Sequence, residues 1–232
     1  MVCTILIPVF NERRTVGAVL EKACRAELPE PFQREIVVID DGSSDGTREI
    51  LETYRGHPFV RVFHLSRNGG KSGALRHGIE HARGDIILIQ DADEEYDPDD
   101  YPLLLEPFLD SDVAVVYGSR FKGGDCSIPH LNRWANQLSN LTLNLFHRSK
   151  LSDVHTGYKA FRKSVIDRIK ITSNGFLVEP EVTIKFLRLG FKILEVPIRY
   201  RARSRKQGKK MTWIQALWLY WGIFRFSFST VR

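Results

Sequence analysis

The stretch from Gly84 to Asp100, GDIILIQDADEEYDPDD, constrains the fold of this 232-residue chain more than any other. Its first half carries four consecutive aliphatic residues, Ile86 to Ile89, a pattern typical of a strand buried on both faces of a parallel sheet. Its second half is acidic and begins with Asp91 and Asp93. A buried strand that ends in Asp-Ala-Asp places two carboxylates at the carboxyl edge of a sheet, where open α/β sheets bind ligands.

Carboxylates that lie this close together repel one another unless a cation lies between them. A hard divalent ion, held by one or two carboxylates and by substrate phosphates, satisfies this requirement. The sequence therefore predicts a site for Mg²⁺ or Mn²⁺ and a phosphorylated ligand at Asp91 and Asp93. A solvated acidic loop is the alternative, and it suits Asp99 and Asp100, which precede the apolar Leu103 and can begin a helix.

Strand patterns alternate with helical patterns along the first half of the chain. Strands are predicted over 3–9, 35–39, 60–65, 85–90, 113–118 and 191–200. Helices are predicted over 15–27, 74–82, 131–146 and 180–189. This alternation indicates a Rossmann-like α/β fold, with a mostly parallel central sheet and helices on both faces. We expect one catalytic domain, residues 1–210, followed by a carboxyl-terminal helix, residues 211–232.

Two loops at strand ends carry residues that suit a nucleotide. Asp40 and Asp41 follow the second strand and begin a turn rich in Asp, Ser and Gly. An Asp at a strand's carboxyl end can bind a ribose hydroxyl or a base, although a capped turn is the simpler alternative. The loop 67–73 contains Gly-Lys-Ser, but Leu65 stands where a P-loop needs its first glycine. A glycine-rich turn with Lys71 still suits a phosphate or a nucleobase edge.

Basic residues concentrate near the carboxyl terminus. The formal net charge is +6, and seven basic residues without an acid lie between Arg199 and Lys210. This local patch predicts a local anionic partner, such as a diphosphate or a lipid headgroup, because a nucleic-acid-binding protein would have a broader basic face and a recognisable motif. Three widely spaced cysteines favour a reducing cytosol. We expect neither a signal peptide nor a transmembrane helix.

The segment from Met211 to Val231 is rich in aromatic residues and carries one charge, on Arg225. Five of its apolar residues fall on one helical face: Ile214, Leu217, Trp221, Phe224 and Phe228. Two interpretations stay open. The helix either packs on the core or on a partner, or it lies in the headgroup zone beside the basic patch and holds the protein on an anionic membrane.

Five motifs, in this order, resemble those of family-two glycosyltransferases of the A-type (GT-A) fold. They are IPVFNE at 7–12, VIDDGSSDGT at 38–47, NGGKSGALRHGI at 68–79, DADEEYDP at 91–98 and GSRF at 118–121. Within that family the chain is most similar to the polyprenyl-phosphate sugar synthases, of which dolichyl-phosphate mannose synthase is the type. The motifs of that narrower similarity are DVHTGYKAFR at 153–162, EVPIRYRAR at 195–203 and GKK at 208–210.

The resemblance implies a reaction and a location. A hexose would move, with inversion, from a nucleotide-diphosphate sugar such as GDP-mannose or UDP-glucose to a polyprenyl phosphate. Mg²⁺ or Mn²⁺ would be required. The enzyme would be cytoplasmic and peripheral on the membrane, bound to its surface through the carboxyl-terminal helix.

The resemblance also implies roles for individual residues. Those that would contact the nucleotide are Pro8, Phe10, Glu12, Ile39, Asp40, Asp41, Asp91, Ala92 and Asp93. Many relatives have Tyr where this chain has Phe10, so one ring hydroxyl contact is lost. The metal would be held by Asp93, with Asp91 and Glu95 as further ligands. The basic residues that would meet donor or acceptor phosphate are Arg120, Arg133, Arg203 and Lys209.

Each group would have a physical task in this reaction. The metal on Asp93 would take up charge that develops on the leaving diphosphate, and Arg203 and Lys209 would add fixed positive charge. An acceptor phosphate is already ionised and needs positioning more than a general base. The residues expected to position it are Arg120, Arg133 and Lys159.

Two alternatives to this reaction are open. A soluble acceptor with a hydroxyl group would need a base, for which Asp153 is the candidate, and the carboxyl-terminal helix would then be a packing element. An inactive sugar-nucleotide-binding or membrane-scaffold protein is less consistent with the intact Asp91 and Asp93.

Overall fold

A computed structural model describes residues 1–123, 130–203 and 213–228. The strands within these ranges are β1 (Val2–Val9), β2 (Gln33–Asp40), β3 (Val60–His64), β4 (Ile86–Ile89), β5 (Val115–Ser119), β6 (Lys159–Arg162) and β7 (Ile193–Pro197). The helices are α1 (Val16–Arg25), α2 (Thr47–Glu52), α3 (Gly70–His81), α4 (Tyr101–Leu105), α5 (His130–His147), α6 (Lys163–Ile166), α7 (Val178–Arg188) and α8 (Trp213–Phe228). Strands and helices alternate as far as β5, as predicted.

All seven of these strands form one sheet, in the order β3-β2-β1-β4-β6-β5-β7. The pairs β3–β2, β2–β1, β1–β4 and β5–β7 are parallel, whereas β6 is antiparallel to its neighbours β4 and β5. The prediction of a mostly parallel α/β sheet is therefore confirmed. Periodicity does not predict β6, because four residues after a polar loop are too few to show a strand pattern.

Successive residues of the central strands face opposite layers of core. In β1, Ile5 and Ile7 belong to one apolar cluster with α1, and Leu6 belongs to the other with α3. Continuous aliphatic runs are required for this arrangement, since both faces of the sheet are covered by helices. The same alternation explains why Ile86 and Leu88 of β4 pack on one side, and Ile87 on the other.

Helix α3 begins at Gly70, four residues before the predicted start. Gly70 has a φ of +72°, a left-handed conformation that glycine adopts without strain. The Gly-Lys-Ser sequence therefore forms the first turn of α3 and not a loop. This start places Lys71 at the amino-terminal end of the helix.

A third apolar cluster joins the helices of the second half of the chain. It contains Leu143 of α5, Ile184 of α7, and Ile223 and Phe226 of α8. One face of α8 thus packs on the body of the protein. Within the described ranges the model contains no helix with the length and hydropathy needed to cross a membrane. The predicted boundary between residues 210 and 211 lies in a part of the chain that the model does not describe.

Candidate active site

The sheet brings the predicted acidic residues to one edge. Val9 at the end of β1 pairs with Asp40 at the end of β2, and Leu6 pairs with Ile89 at the end of β4. The loops that follow these three parallel strands must therefore leave the sheet side by side. Because β6 is antiparallel, its first residue, Lys159, lies at the same edge.

Arg203 connects the loops after β1 and β4. Its Nη1 lies 3.1 Å from Glu12 Oε2, and its Nη2 lies 2.5 Å from Asp93 Oδ2. The Arg203 Nε is buried and has no hydrogen-bond partner among the described residues; Glu95 Oε1 is 3.8 Å away. The structure thus joins four predicted site residues and leaves one buried donor available for a ligand.

Glu95 holds the segment that carries Arg203. Its Oε2 accepts a hydrogen bond from Tyr200 Oη at 2.8 Å, and its Oε1 accepts one from the Arg203 backbone N–H at 2.7 Å. Tyr96 and Tyr200 also form an antiparallel bridge. Both carboxylate oxygens of Glu95 are thus engaged within the protein, where they hold Tyr200 and Arg203 in place. The predicted role of Glu95 as a metal ligand stays a prediction.

Lys71 connects Asp91 to a carboxylate that sequence reasoning missed. The Lys71 Nζ lies 2.6 Å from Asp91 Oδ1 and 2.9 Å from Glu179 Oε1. Glu179 belongs to the first turn of α7, and no strand-end motif precedes it, so only the fold reveals its place at this edge. Gly157 lies close by, since a Cβ there would come within 2.4 Å of Asp91 Oδ2.

The environment of Asp93 shows that the site is short of positive charge. Burial, followed by the neighbouring carboxylates of Asp91 and Glu95, raises the pKa of Asp93 to about 7, although the Arg203 guanidinium acts in the opposite direction. Five carboxylates share two basic side chains, and the acids are Glu12, Asp91, Asp93, Glu95 and Glu179.

These carboxylates have the chemistry of a site for a hard divalent cation. Among the residues that the model describes, no group of three or more acidic, His or Cys side chains is arranged around one metal position. Mg²⁺ commonly binds one or two carboxylates and completes its coordination with substrate phosphates and water. Asp93 therefore fits a metal that arrives with a diphosphate and completes its coordination with phosphate oxygens and water.

The loop after β2 is fixed by its own acids. Asp40 is fully buried and accepts hydrogen bonds from the Ser43 N–H at 2.9 Å and from His64 at 2.7 Å. Asp41 accepts one from the Gly69 N–H at 2.7 Å, and burial raises its pKa. This contact joins the loops after β2 and β3. Ile39 is buried in the core, so it can offer a ligand only its backbone.

The residues after β1 and β4 flank this loop. Pro8, Phe10 and Glu12 are half-buried at the end of β1, and Ala92 is buried between Asp91 and Asp93. These residues border the same edge of the sheet, and their role in a nucleotide pocket stays a prediction.

At the end of β5, Arg120 is paired with Asp153. The Asp153 carboxylate is fully buried and accepts three hydrogen bonds from Arg120, from the backbone N–H at 3.0 Å, Nε at 2.7 Å and Nη2 at 2.7 Å. The ring of Phe121 lies near two arginines, with its centre 5.9 Å from the Arg120 guanidinium and 5.8 Å from that of the exposed Arg133. Two predicted phosphate-binding arginines are thus close together.

The structure corrects the expectation for Lys159. Its ammonium group is buried, donates a hydrogen bond to the Val154 carbonyl at 2.9 Å and lies 3.8 Å from the ring centre of Tyr117. Burial lowers its pKa to about 7. The expectation that Lys159 positions a phosphate is wrong, because its side chain points into the core. Lys209 lies outside the described residues.

The chain belongs to glycosyl transferase family 2, whose model matches residues 4–170. It is 32% identical over 202 residues to the glycosyltransferase AglJ of Haloferax volcanii, with 86% of this chain and 63% of that protein covered. It is 29% identical to the dolichol-phosphate mannosyltransferase of Pyrococcus furiosus, with 90% and 59% covered. It is also 29% identical to the dodecaprenyl-phosphate galacturonate synthase of Rhizobium johnstonii, with 72% and 50% covered. The chain thus spans between half and about two thirds of the length of these relatives.

A solved structure supports the fold. The glucosyl-3-phosphoglycerate synthase of Mycobacterium tuberculosis, solved with UDP, superimposes with a TM-score of 0.72 at 19% identity, over 97% of this chain and 77% of that one. At this identity the likeness establishes the GT-A fold and nothing about the substrate.

Proposed function

We propose that the chain transfers a hexose from a nucleotide-diphosphate sugar to a polyprenyl phosphate, with inversion and with a divalent metal. Relatives named for polyprenyl-phosphate or dolichyl-phosphate acceptors support the acceptor class. Those names include a dolichyl-phosphate beta-glucosyltransferase of Trichomonas vaginalis and so cover galacturonate, mannose and glucose. They support a nucleotide-sugar donor without selecting one sugar. GDP-mannose and UDP-glucose are the first donors to test.

The observation that carries this proposal is the pairing of Arg120 with Asp153. A hydroxyl acceptor needs a carboxylate base, and the candidate base, Asp153, is buried and already accepts three hydrogen bonds. An acceptor phosphate is ionised and needs no base. It needs fixed cationic groups, and the exposed Arg133 offers one, 5.8 Å from the ring centre of Phe121. Arg120 lies near the same ring, but it is 7% exposed and its guanidinium is paired with Asp153, so its contribution would be to the positive field around the acceptor phosphate.

On the donor side, the loop of Asp40 and Asp41 would bind the base and ribose. Asp91 and Asp93 would face the diphosphate. When bound there, Mg²⁺ or Mn²⁺ would neutralise charge on the leaving nucleoside diphosphate, with Asp93 as its principal protein ligand. The M. tuberculosis synthase has been solved with UDP and Mn²⁺ or Mg²⁺, which supports metal use within this fold.

Arg203 would change partners when the donor binds. In this structure its guanidinium group lies among carboxylates, and its Nε–H lacks an acceptor among the described residues. A diphosphate oxygen would satisfy that donor. Arg203, together with Lys209, would then supply fixed positive charge opposite the leaving group.

For location, we propose a catalytic unit of residues 1–210 and a carboxyl-terminal helix, 211–232, that holds the protein peripherally on the cytoplasmic face of a membrane. The outer side of α8 supports this, because Phe224 and Phe228 are exposed while Ile223 and Phe226 are buried. The side chains of Ile214 and Leu217, predicted for the same face, lie outside the described part of the chain.

A transfer assay tests the proposal. Radiolabelled GDP-mannose and UDP-glucose would be incubated in turn with polyprenyl phosphate and Mg²⁺ or Mn²⁺. We expect label to enter the organic phase with one of these donors and to require the metal. Sugar transfer to a soluble acceptor, with no labelled lipid, would refute the acceptor assignment and restore the soluble-acceptor alternative.

A further inference from the structure

Helix α5 carries a stripe of apolar side chains that is exposed and does not pack on the core. Trp134, Leu138, Leu141 and Leu145 follow one another at spacings of four, three and four residues and therefore share one helical face. Trp134 is 72% exposed and Leu145 is 78% exposed. The opposite side of α5 packs on the core through the buried Leu143. Packing on the core thus explains why the inner face of α5 is apolar, and it does not explain why the outer face is apolar.

The outer face of α8 continues this stripe. The Phe146 ring of α5 and the Phe228 ring of α8 meet edge to face with centres 6.1 Å apart, and Phe224 and Phe228 lie 5.1 Å apart. His147 of α5 also hydrogen-bonds Ser227 of α8. Both helices direct their inner faces at the same apolar cluster, so their outer faces form one surface. We call it the α5–α8 surface, and its exposed members are Trp134, Leu138, Leu141, Leu145, Phe146, Trp221, Phe224 and Phe228.

This surface is too large to be incidental. Eight large apolar side chains at these exposures present on the order of 1,000 Å², whereas the largest apolar patch of a typical monomer covers about 300–600 Å². Covering apolar surface of this extent with another apolar surface is favourable, and patches of this size mark sites of interaction with a protein or a membrane.

The charges around the surface select the kind of partner. No acidic residue occurs between Asp125 and Asp153, a segment that includes the whole of α5, and α8 contains none either. Exposed basic residues lie at both ends of α5 and on α8: Arg133, Arg148, Lys150 and Arg225. Apolar and aromatic side chains rimmed by cations alone are complementary to a bilayer with anionic headgroups.

We propose that the α5–α8 surface docks on an anionic lipid bilayer, with α5 supplying half of the contact. This inference rests on the proposed function for its purpose. Arg133 directly precedes Trp134, and its guanidinium and that of Arg120 each lie within 6 Å of the ring centre of Phe121, at 5.8 and 5.9 Å. A bilayer covering α5 would therefore bring the phosphate of a lipid acceptor level with these arginines while its chain stays among the lipids.

Vesicle flotation of the full chain tests the inference, with vesicles of phosphatidylcholine alone and vesicles that also contain phosphatidylglycerol. The test variant is Leu138→Ser/Leu145→Ser, and the matched control is Leu103→Ser/Leu109→Ser, which removes two exposed leucines elsewhere. We expect the wild type and the control to bind the anionic vesicles, and the test variant to bind at least about tenfold more weakly, since each leucine loses substantial apolar burial.

Other results would overturn the inference. Wild-type protein that does not float, or a test variant that floats like the control, would remove α5 from any membrane contact. A wild-type dimer that the test variant disrupts, without vesicle binding, would assign the surface to a second copy of the chain.

Transfer to a water-soluble, short-chain polyprenyl phosphate separates this inference from the proposed function. We expect the wild type and the test variant to be equally active with that acceptor, because neither leucine lies at the candidate active site. Vesicle binding without transfer to any polyprenyl phosphate would refute the proposed function and leave the docking surface in place.

Discussion

Replacing Asp153 by Asn should destabilise the protein strongly, because Arg120 would lose its counter-ion inside the protein. Asp153 is fully buried, and its two oxygens accept bonds of 3.0, 2.7 and 2.7 Å from Arg120. The asparagine amide keeps a similar shape and one acceptor oxygen, but it removes the negative charge. Removing one partner of a buried ion pair typically costs about 3–5 kcal/mol.

Urea unfolding measures this loss. With a denaturant slope of about 2–3 kcal/mol per molar, the unfolding midpoint should fall by about 1–2.5 M. The matched control is Asp167→Asn, which makes the same chemical change at an exposed ion pair with Lys163. There we expect a change of about 0.5 kcal/mol or less, because solvent screens such pairs.

The same variant separates a structural role for Asp153 from a catalytic one. A stability loss within about 1 kcal/mol of the control would refute the reasoning about an uncompensated buried charge. If Asp153→Asn kept its stability, and the wild type but not this variant transferred sugar to a hydroxyl acceptor, Asp153 would be the general base of that reaction. The proposed lipid-phosphate acceptor would then be wrong.

Three further substitutions have distinct expected outcomes. Asp93→Ala should abolish transfer and the metal-dependent binding of the nucleoside diphosphate. The unfolding midpoint should stay unchanged or rise. Calorimetric titration that still shows metal-dependent binding would contradict the metal assignment. Glu179→Gln should remove one of the two carboxylates that hold Lys71 and strengthen metal-free binding of the nucleoside diphosphate, because the site then carries one negative charge fewer; unchanged affinity in calorimetric titration would contradict this. Glu181→Gln, a change at a buried acid two residues further on, should lower stability without changing that affinity. Lys159→Met should stabilise the protein by about 3 kcal/mol at pH 7, with the gain vanishing toward pH 10. The pKa of Lys159 in the folded protein, about 7, lies below its value of 10.5 in the unfolded chain. The unfolded state therefore binds the proton more tightly, and the stability of the wild type falls as the pH drops from the unfolded pKa to the folded pKa. A constant difference across this range would contradict that pKa shift.

The donor half of the fold could be predicted because its information is local. The strands β1, β2 and β4 each contain three or four consecutive aliphatic residues, and the acids that matter follow the ends of β2 and β4. Parallel strands then bring those ends together without any further information. This is why Asp41, Asp91 and Asp93 were placed at one edge from the sequence.

The second half depended on long-range packing that local patterns do not encode. Glu179 lies in the first turn of a helix, and only its contact with Lys71 reveals its position beside Asp91. Lys159 follows a polar loop and looks accessible, yet an antiparallel strand turns its side chain into the core. The exposed stripe of α5 has the periodicity of a core face, so only the fold shows that it points outward.

The insertion of β6 between β4 and β5 has a consequence for how the chain folds. The strands β1 to β4 pair with one another through crossovers of moderate length, so this half can form early from relatively local contacts. The remaining strands cannot join the sheet in the order in which they occur in the chain. Strand β5 pairs with β6 and not with β4, so it is connected to the first half only after β6, about forty residues later, has paired with β4. Contacts of such high sequence separation form slowly, since a long loop must be ordered first. Refolding should therefore have two kinetic phases, with the carboxyl-terminal strands β5 and β7 gaining protection from hydrogen exchange later than β1 and β2.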